Sequence, residues 1–209
     1  MKHIVLGITG ASGALYARRL TQQLVDSGAR VHVIVSAFGR RLLADELGVS
    51  KVSPETLAGR ETEQVVIYHP RDLGARIASG SFLTDGMVVC PCSSNTLGMI
   101  AAGIGDSLIG RAAAVTLKEA RRLVIVHREM PLSPIDLQNM LRLSRAGAII
   151  CPANPGFYLF PQTIDDIVDF VVGKVLDLLG VAHSLNTRWN PEAPPAVVDV
   201  AEAADGATE

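Results

Sequence analysis

The apolar run 123–127 ends in Arg128-Glu129-Met130-Pro131. A guanidinium offers two parallel donors to a phosphate, and a neighbouring carboxyl group can hand a proton to a departing oxygen. A surface ion pair, common and weak, is the plainer reading, but a position at the end of a strand favours the first. The run 87–90 leads into Pro91-Cys92-Ser93-Ser94-Asn95-Thr96. Three hydroxyls and an amide exceed what one helix cap uses and point to a bound oxyanion or polar heterocycle. After the run 3–8 comes Gly7-Ile8-Thr9-Gly10-Ala11-Ser12-Gly13, whose glycines admit a phosphate close to backbone N–H groups at a helix start. A tight turn capped by Ser12 accounts for the same residues. Ser36 closes the run 30–36 where a dinucleotide fold carries Asp or Glu for a ribose hydroxyl, which argues against NAD and leaves a small hydroxyl facing the site.

Other candidates have ordinary explanations. Cys92 lacks an adjoining His and is expected to pack. His127 is expected to be packed or solvated, and Lys118, with Arg121 and Arg122, to lie on a solvated helix face. Cys90, Cys92 and Cys151 form no C-x-x-C pair and are expected to be reduced thiols rather than a disulfide framework or a zinc site. The loop from Cys151 to Tyr158 is stiffened by Pro and Gly and presents two rings; at least one of Phe157 and Phe160 is expected to plug the end of the sheet.

These groups act together only if the fold brings them to one edge. Short Val/Ile-rich runs at 3–8, 30–36, 65–68 (weaker), 87–90, 123–127 and 148–151 alternate with helical patterns at 14–27, 40–47, 96–102, 108–120, 135–145 and 164–179. Near-continuous apolar runs are what strands covered on both faces need, and intervening helices supply the crossovers. The fold class is therefore α/β, a doubly wound and mostly parallel sheet that takes its ligand at the carboxyl ends of the strands. At 209 residues the chain suits one domain, expected over 1–189, with 49–85 an excursion from the sheet and 190–209 an acidic, disordered tail. That tail carries five acids and no Lys or Arg, leaving the body at net +3 against a total of −2. A mildly cationic body suits a small anionic ligand, but it lacks the clustered basic residues of a nucleic-acid footprint. The N-terminal run is too short and Gly-rich for a signal peptide and no run of about 18 apolar residues occurs, so a cytoplasmic protein is expected.

TGASGA, PCSSNTL, LKEARRLVIVHREMPLS and PANPGFYLFPQTIDDIVDFVVGKVLD together resemble the UbiX/Pad family of flavin prenyltransferases, in order, from about Lys2 to Trp189. The resemblance implies a Rossmann-like (flavodoxin-like) single-domain subunit. It implies that a dimethylallyl group passes from dimethylallyl monophosphate to N5 and C6 of reduced FMN, without a metal. The prenylated FMN formed is used by UbiD-type decarboxylases. Carried over, Gly10, Ala11, Ser12, Ser36, Ser93, Ser94, Asn95, Thr96 and Arg128 would hold the flavin; Lys118, Arg128, Tyr158 and Lys174 would hold the prenyl phosphate, and Trp189, also substrate-binding, would close over the pocket. Ser12, Glu46, Glu129 and Tyr158 would be catalytic, Glu129 protonating the departing phosphate. Lys174 stands where some relatives have Arg, keeping the charge without the fork. Asp165-Asp166 fits a helix start better than a metal motif. Relatives form dodecamers built from trimers, in which Lys118 and Glu46 could reach a neighbour's pocket. An FMN-dependent cysteine decarboxylase of the same fold, or a non-catalytic flavin-binding subunit of a decarboxylase complex, remains the alternative.

Overall fold

The computed structural model describes residues 1–185 and 187. Among them six strands, β1 (His3–Ile8), β2 (Arg30–Val35), β3 (Val65–Tyr68), β4 (Gly86–Cys92), β5 (Leu123–His127) and β6 (Ile149–Ile150), form one parallel sheet in the order β3-β2-β1-β4-β5-β6. Parallel neighbours require crossovers. These are made by α1 (Ala14–Asp26), α2 (Ala37–Leu47), α3 (Pro54–Ala58), α4 (Ser94–Ala101), α5 (Leu108–Lys118), α6 (Pro134–Arg145) and α7 (Ile164–Leu179). The chain builds outward from β1 to β3 on one side and from β4 to β6 on the other, so the crevice at the carboxyl ends of β1 and β4 is the topological switch point.

Alternate side chains of each strand go to opposite faces. Ile4, Leu6, Ile8, Val33 and Val126 pack beneath α1, α2, α3 and α7, while Val5, Ile34, Met87, Val89 and Ile125 pack beneath α4 and α5, with Leu143 of α6. Burial on both sides is why the strands read as near-continuous apolar runs.

Capping side chains move the helix starts forward of the expected ones: Ser36 caps α2, which starts at Ala37, and Ser93 caps α4, which starts at Ser94. β4 continues through Pro91 to Cys92, which lies opposite His127 beyond an irregularity after Val89. The expected excursion at 49–85 is corrected by α3 and by β3, which pairs with β2 from Val31 opposite Val65 to Ile34 opposite Tyr68. β3 is an edge strand with only Val65 fully buried, so it needs no long apolar run. Only the stretch after it, with its short turn of 3₁₀ helix at Arg76–Ala78, leaves the sheet. Trp189 and the tail 190–209 lie outside the described residues. Among the described residues no helix is long and apolar enough to cross a membrane.

Candidate functional site

The turn after β1 is closed by the chain itself. The N-cap of α1 is Gly13, in the left-handed region at φ 119°, with no side-chain cap from Ser12. The Glu46 carboxylate of α2 accepts from Gly13 N (3.0 and 3.2 Å to its two oxygens) and from Ala14 N (2.7 Å). A carboxylate at a helix N-terminus is favoured by the dipole, and here it occupies donors that the Gly-rich run offers to a phosphate. Glu46 thus serves its own chain's site edge. A Cβ on Gly10 would lie 2.5 Å from Phe38 Cβ, and one on Gly39 would lie 2.5 Å from the Ile8 carbonyl oxygen. Both glycines let the start of α2 press against the β1 turn. Ser12 is exposed and Ala11 buried beside them. The Ser36 hydroxyl accepts from Gly39 N (3.0 Å), leaving its O–H able to donate.

Thr9 joins this turn to the one after β4. Its buried hydroxyl donates to the Pro91 carbonyl (2.8 Å) and accepts from Ser93 N (2.9 Å). In the sequence Thr9 is marked only as a hydroxyl one residue past the strand, inside a glycine run. Ser93 and Thr96 satisfy one another, since Ser93 Oγ accepts from Thr96 N (3.3 Å) and lies 3.1 Å from Thr96 Oγ1. Asn95 is exposed. The Asp136 carboxyl is held below the usual range first by the Ser133 hydroxyl and then by the Ser94 hydroxyl beside it. Ser94 Oγ itself is buried without a partner in hydrogen-bond geometry. A cleft of about 570 Å³ opens here, lined by Ser94, Asn95, Met99, Ser133 and Asp136 among others. Burial pushes the Cys90 and Cys92 thiols upward, consistent with packing roles.

At the end of β5 the Cys92 carbonyl accepts from Arg128 N (3.2 Å) and faces His127 Nδ1 at 2.9 Å. That carbonyl calls for a proton on Nδ1, and the buried Nε2 has no partner among the described residues. Arg128 is half-buried, its Nε is buried without a partner, and no carboxylate pairs with it among the described residues. Its positive charge reaches Tyr16, whose phenol is raised chiefly by burial and drawn back by Arg128. The Tyr16 ring closes over Gly13, where a Cβ would lie 2.8 Å from Cδ2. Tyr16 was also missed, because on α1 it reads as one more half-buried ring. Glu129 is exposed, its Oε1 accepting from Met130 N (3.1 Å).

Tyr158, in the loop after β6, is half-exposed and meets Phe170 of α7 edge to face at 5.7 Å and 83°. The expected aromatic plug is corrected: Phe157 and Phe160 are 65% and 67% exposed, and Phe170 packs against the core instead. The Asp166 carboxylate accepts from Thr163 N (2.9 Å) and the Thr163 hydroxyl accepts in return from Asp166 N (3.2 Å), a helix cap as expected. Lys174 is exposed on α7, and its charge draws down the Cys151 thiol against the larger effect of burial, which places it near the end of β6.

Lys118 lies elsewhere. It pairs with Glu119 beside Gly80, before β5 begins. The five residues of β5 separate that end from Arg128 by about 16 Å. The carboxyl edge therefore gathers Ser12, Ser36, Ser93, Ser94, Asn95, Thr96, Arg128, Glu129, Tyr158 and Lys174, without this chain's own Lys118, and Trp189 is outside the described residues. Among the described residues no three His, Cys, Asp or Glu side chains are placed to hold a metal ion. An unneutralised guanidinium and a buried unpartnered hydroxyl fit a ligand that is both anionic and hydrogen-bonding, as a flavin mononucleotide is.

The model of the Flavoprotein family matches residues 1–176. The flavin prenyltransferase UbiX of Halalkalibacterium halodurans is 47% identical over 191 residues, spanning 90% of this chain and 93% of that one. The crystal structure of AnUbiX (PadA1) in complex with FMN and dimethylallyl pyrophosphate superposes with a TM-score of 0.84 at 39% identity, covering 90% of this chain and 97% of that one. The dodecameric FMN-dependent UbiX-like decarboxylase from Escherichia coli O157:H7 gives 0.81 at 44% identity, covering 90% and 99%. The chain belongs to the Flavoprotein family and, within it, to the flavin prenyltransferases of the UbiX type, which are transferase enzymes.

Proposed function

We propose that the chain transfers a dimethylallyl group from dimethylallyl monophosphate to N5 and C6 of reduced FMN, with release of phosphate, and that the product serves a UbiD-type decarboxylase. The observation that carries this reading is Arg128, a half-buried cation with an unpartnered Nε at the carboxyl end of β5 and Glu129 as its neighbour. Arg128 fits the phosphates as a bidentate donor, where low exposure strengthens each charge-assisted bond. Breaking the allylic C–O bond leaves negative charge on the departing phosphate, which Arg128, Lys174 and the Tyr158 hydroxyl stabilise and Glu129 protonates. When bound, the reduced flavin supplies the nucleophile and a π face for the cationic prenyl group. Ser12 and Glu46 stand together at the start of α1, where they can pass on the proton lost from the ring.

Lys118 joins this chemistry by reaching the site of a neighbouring copy, and we assign the chain to a dodecamer built from trimers. Met130 is 86% and Ile135 69% exposed, and with Leu132, Leu137 and Leu141 they form an uncovered apolar stretch from the β5 turn onto α6. Light scattering reads the assembly directly, and a monomer of unchanged activity overturns the shared site.

The deciding experiment is anaerobic incubation of the protein with reduced FMN and dimethylallyl monophosphate. The flavin mass is expected to rise by one prenyl unit; no rise, with the diphosphate donor also silent, overturns the reading. Single-turnover alkylation separates this enzyme from a non-catalytic flavin carrier, and a C-terminal cysteine peptide left unchanged separates it from a cysteine decarboxylase. Glu129→Gln is expected to slow transfer while leaving FMN affinity intact.

A further inference from the structure

β4 does not keep its register to the end. Val89 lies opposite Ile125 but Cys92 lies opposite His127, so β4 spends one residue more than β5 over the same length. Pro91 stands in this bulge, the place where a central strand tolerates a residue without an N–H. On the other side the pairing with β1 also stops at Val89, opposite Gly7. The regular ladder is thus broken on both sides just before the turn that carries Ser93 to Thr96.

Two buried side chains replace it. On the β1 side the Pro91 carbonyl accepts from Thr9 N at 3.2 Å and from the Thr9 hydroxyl at 2.8 Å, and that hydroxyl accepts from Ser93 N. On the β5 side the Cys92 carbonyl accepts from Arg128 N at 3.2 Å and lies 2.9 Å from His127 Nδ1. A carbonyl oxygen has two lone pairs and can take both donors. At each carbonyl the side-chain contact is the shorter one, and in a buried place a bond lost there leaves a polar atom unsatisfied.

These bonds hold the groups that face the ligand. Ser93 follows Cys92 and caps α4, Ser94 comes next with its buried Oγ, and Arg128, with its buried unpartnered Nε, follows His127. A shift of Cys92 away from β5 carries the Ser93–Thr96 turn away from Arg128. We propose that Thr9 and His127 are positioning residues of the flavin site: they clamp the last two carbonyls of β4 from opposite sides and so fix that turn against Arg128. This rests on the placement of FMN at Arg128 and Ser94 made above. The working atoms are Thr9 Oγ1 and His127 Nδ1.

The amide N–H of an Asn side chain can stand where His127 Nδ1 stands, and that of Gln reaches the place of Nε2. The experiment measures FMN affinity by fluorescence titration for wild type, His127→Leu, His127→Asn and His127→Gln as full-length protein, well below the Tm of each. His127→Leu is expected to raise Kd about tenfold, within the roughly 100-fold that a misplacement near 1 Å can cost. His127→Asn is expected to return Kd to near the wild-type value, and His127→Gln to leave it raised. Unchanged Kd in His127→Leu overturns the proposal, as does a defect that His127→Asn leaves in place or that His127→Gln removes. If the His127 variants do not fold, the other half of the clamp decides. Thr9→Val, which removes the hydroxyl at nearly the same volume, is expected to weaken FMN binding about tenfold, and Thr9→Ser to bind as wild type does; equal affinities overturn the proposal. Wild type that binds FMN but never alkylates it overturns the proposed function instead, while the affinity comparison still tests the clamp.

Discussion

The β1–α1 and β4–α4 turns each lead a buried parallel strand into a helix beside the switch point, and Thr9 bonds them together through the Pro91 carbonyl and Ser93 N. At the first turn the Glu46 carboxylate takes the N–H groups of Gly13 and Ala14, and Gly10 and Gly39 serve contacts within the chain. At the second, Ser93 and Thr96 cap the helix, but His127 Nε2 and Arg128 Nε are buried without a hydrogen-bond partner among the described residues, and Ser94 Oγ, beside the Asp136 carboxyl, makes no bond of good geometry there. A buried polar group without a partner is costly unless a ligand or water supplies one. A glycine-rich turn thus reports close approach of backbone to something, here the protein's own helix. The unspent binding capacity lies on the β4–β5 side.

The largest test of that contrast is Arg128→Ala, expected to weaken FMN affinity about 100-fold, or near 3 kcal/mol, through loss of charge-assisted bonds to phosphate. Fluorescence titration reads it, and an unchanged affinity would move the anion site back to the β1 turn. Acid stability comes next and separates both turns from the rest of the fold. His32 is buried, with Nε2 3.0 Å from His3 Nδ1 and Nδ1 3.0 Å from the Tyr68 hydroxyl; burial first and the His3 charge second push it down to about 4. Because its folded pKa is below the unfolded one, stability is expected to fall as pH drops from about 6.5 to about 4 and to level off below, by about 2 kcal/mol after screening. Melting curves against pH show this, and His32→Gln should flatten them while Glu46→Gln does not.

Glu46→Gln removes the charge at the start of α1 and is expected to cost about 1 kcal/mol, a fall in Tm of about 2–4 °C, with a smaller effect on FMN affinity than Arg128→Ala. The smallest and sharpest pair is Ser93→Ala against Ser94→Ala. Loss of the Ser93 cap should cost about 1 kcal/mol in denaturant melts, whereas losing the Ser94 hydroxyl should cost a few tenths at most and show instead as weaker flavin binding. Equal stability losses would mean that Ser94 is already bonded within the protein.

Strand positions were readable because two-sided burial demands Val and Ile at successive positions, as in Val33 to Val35. β3 was harder, since an edge strand needs apolar residues on only part of its surface. The residues at the strand ends were legible as types, Arg128 and Ser94 among them, but their hydrogen-bond partners were not. Thr9 and Tyr16 escaped notice because their roles depend on Pro91, Ser93 and Arg128, which are distant in sequence. Phe157 and Phe160 misled for the same reason: a ring next to a strand end is apolar whether or not the fold covers it, and Phe170 was the one covered.

By itself, the sequence determined the doubly wound class, the edge of the sheet where the candidate site residues gather, and, through its motifs, the family. The first two follow from periodicity and residue type, which are local, and the third from motifs in order along the chain. Only the tertiary structure decided which donors are spent and which are open, that Lys118 stands at the far end of the sheet, and that Thr9 and His127 hold the end of β4 from either side. Each of these depends on groups brought together across the sheet or along a helix, where distance in space bears no fixed relation to distance in sequence.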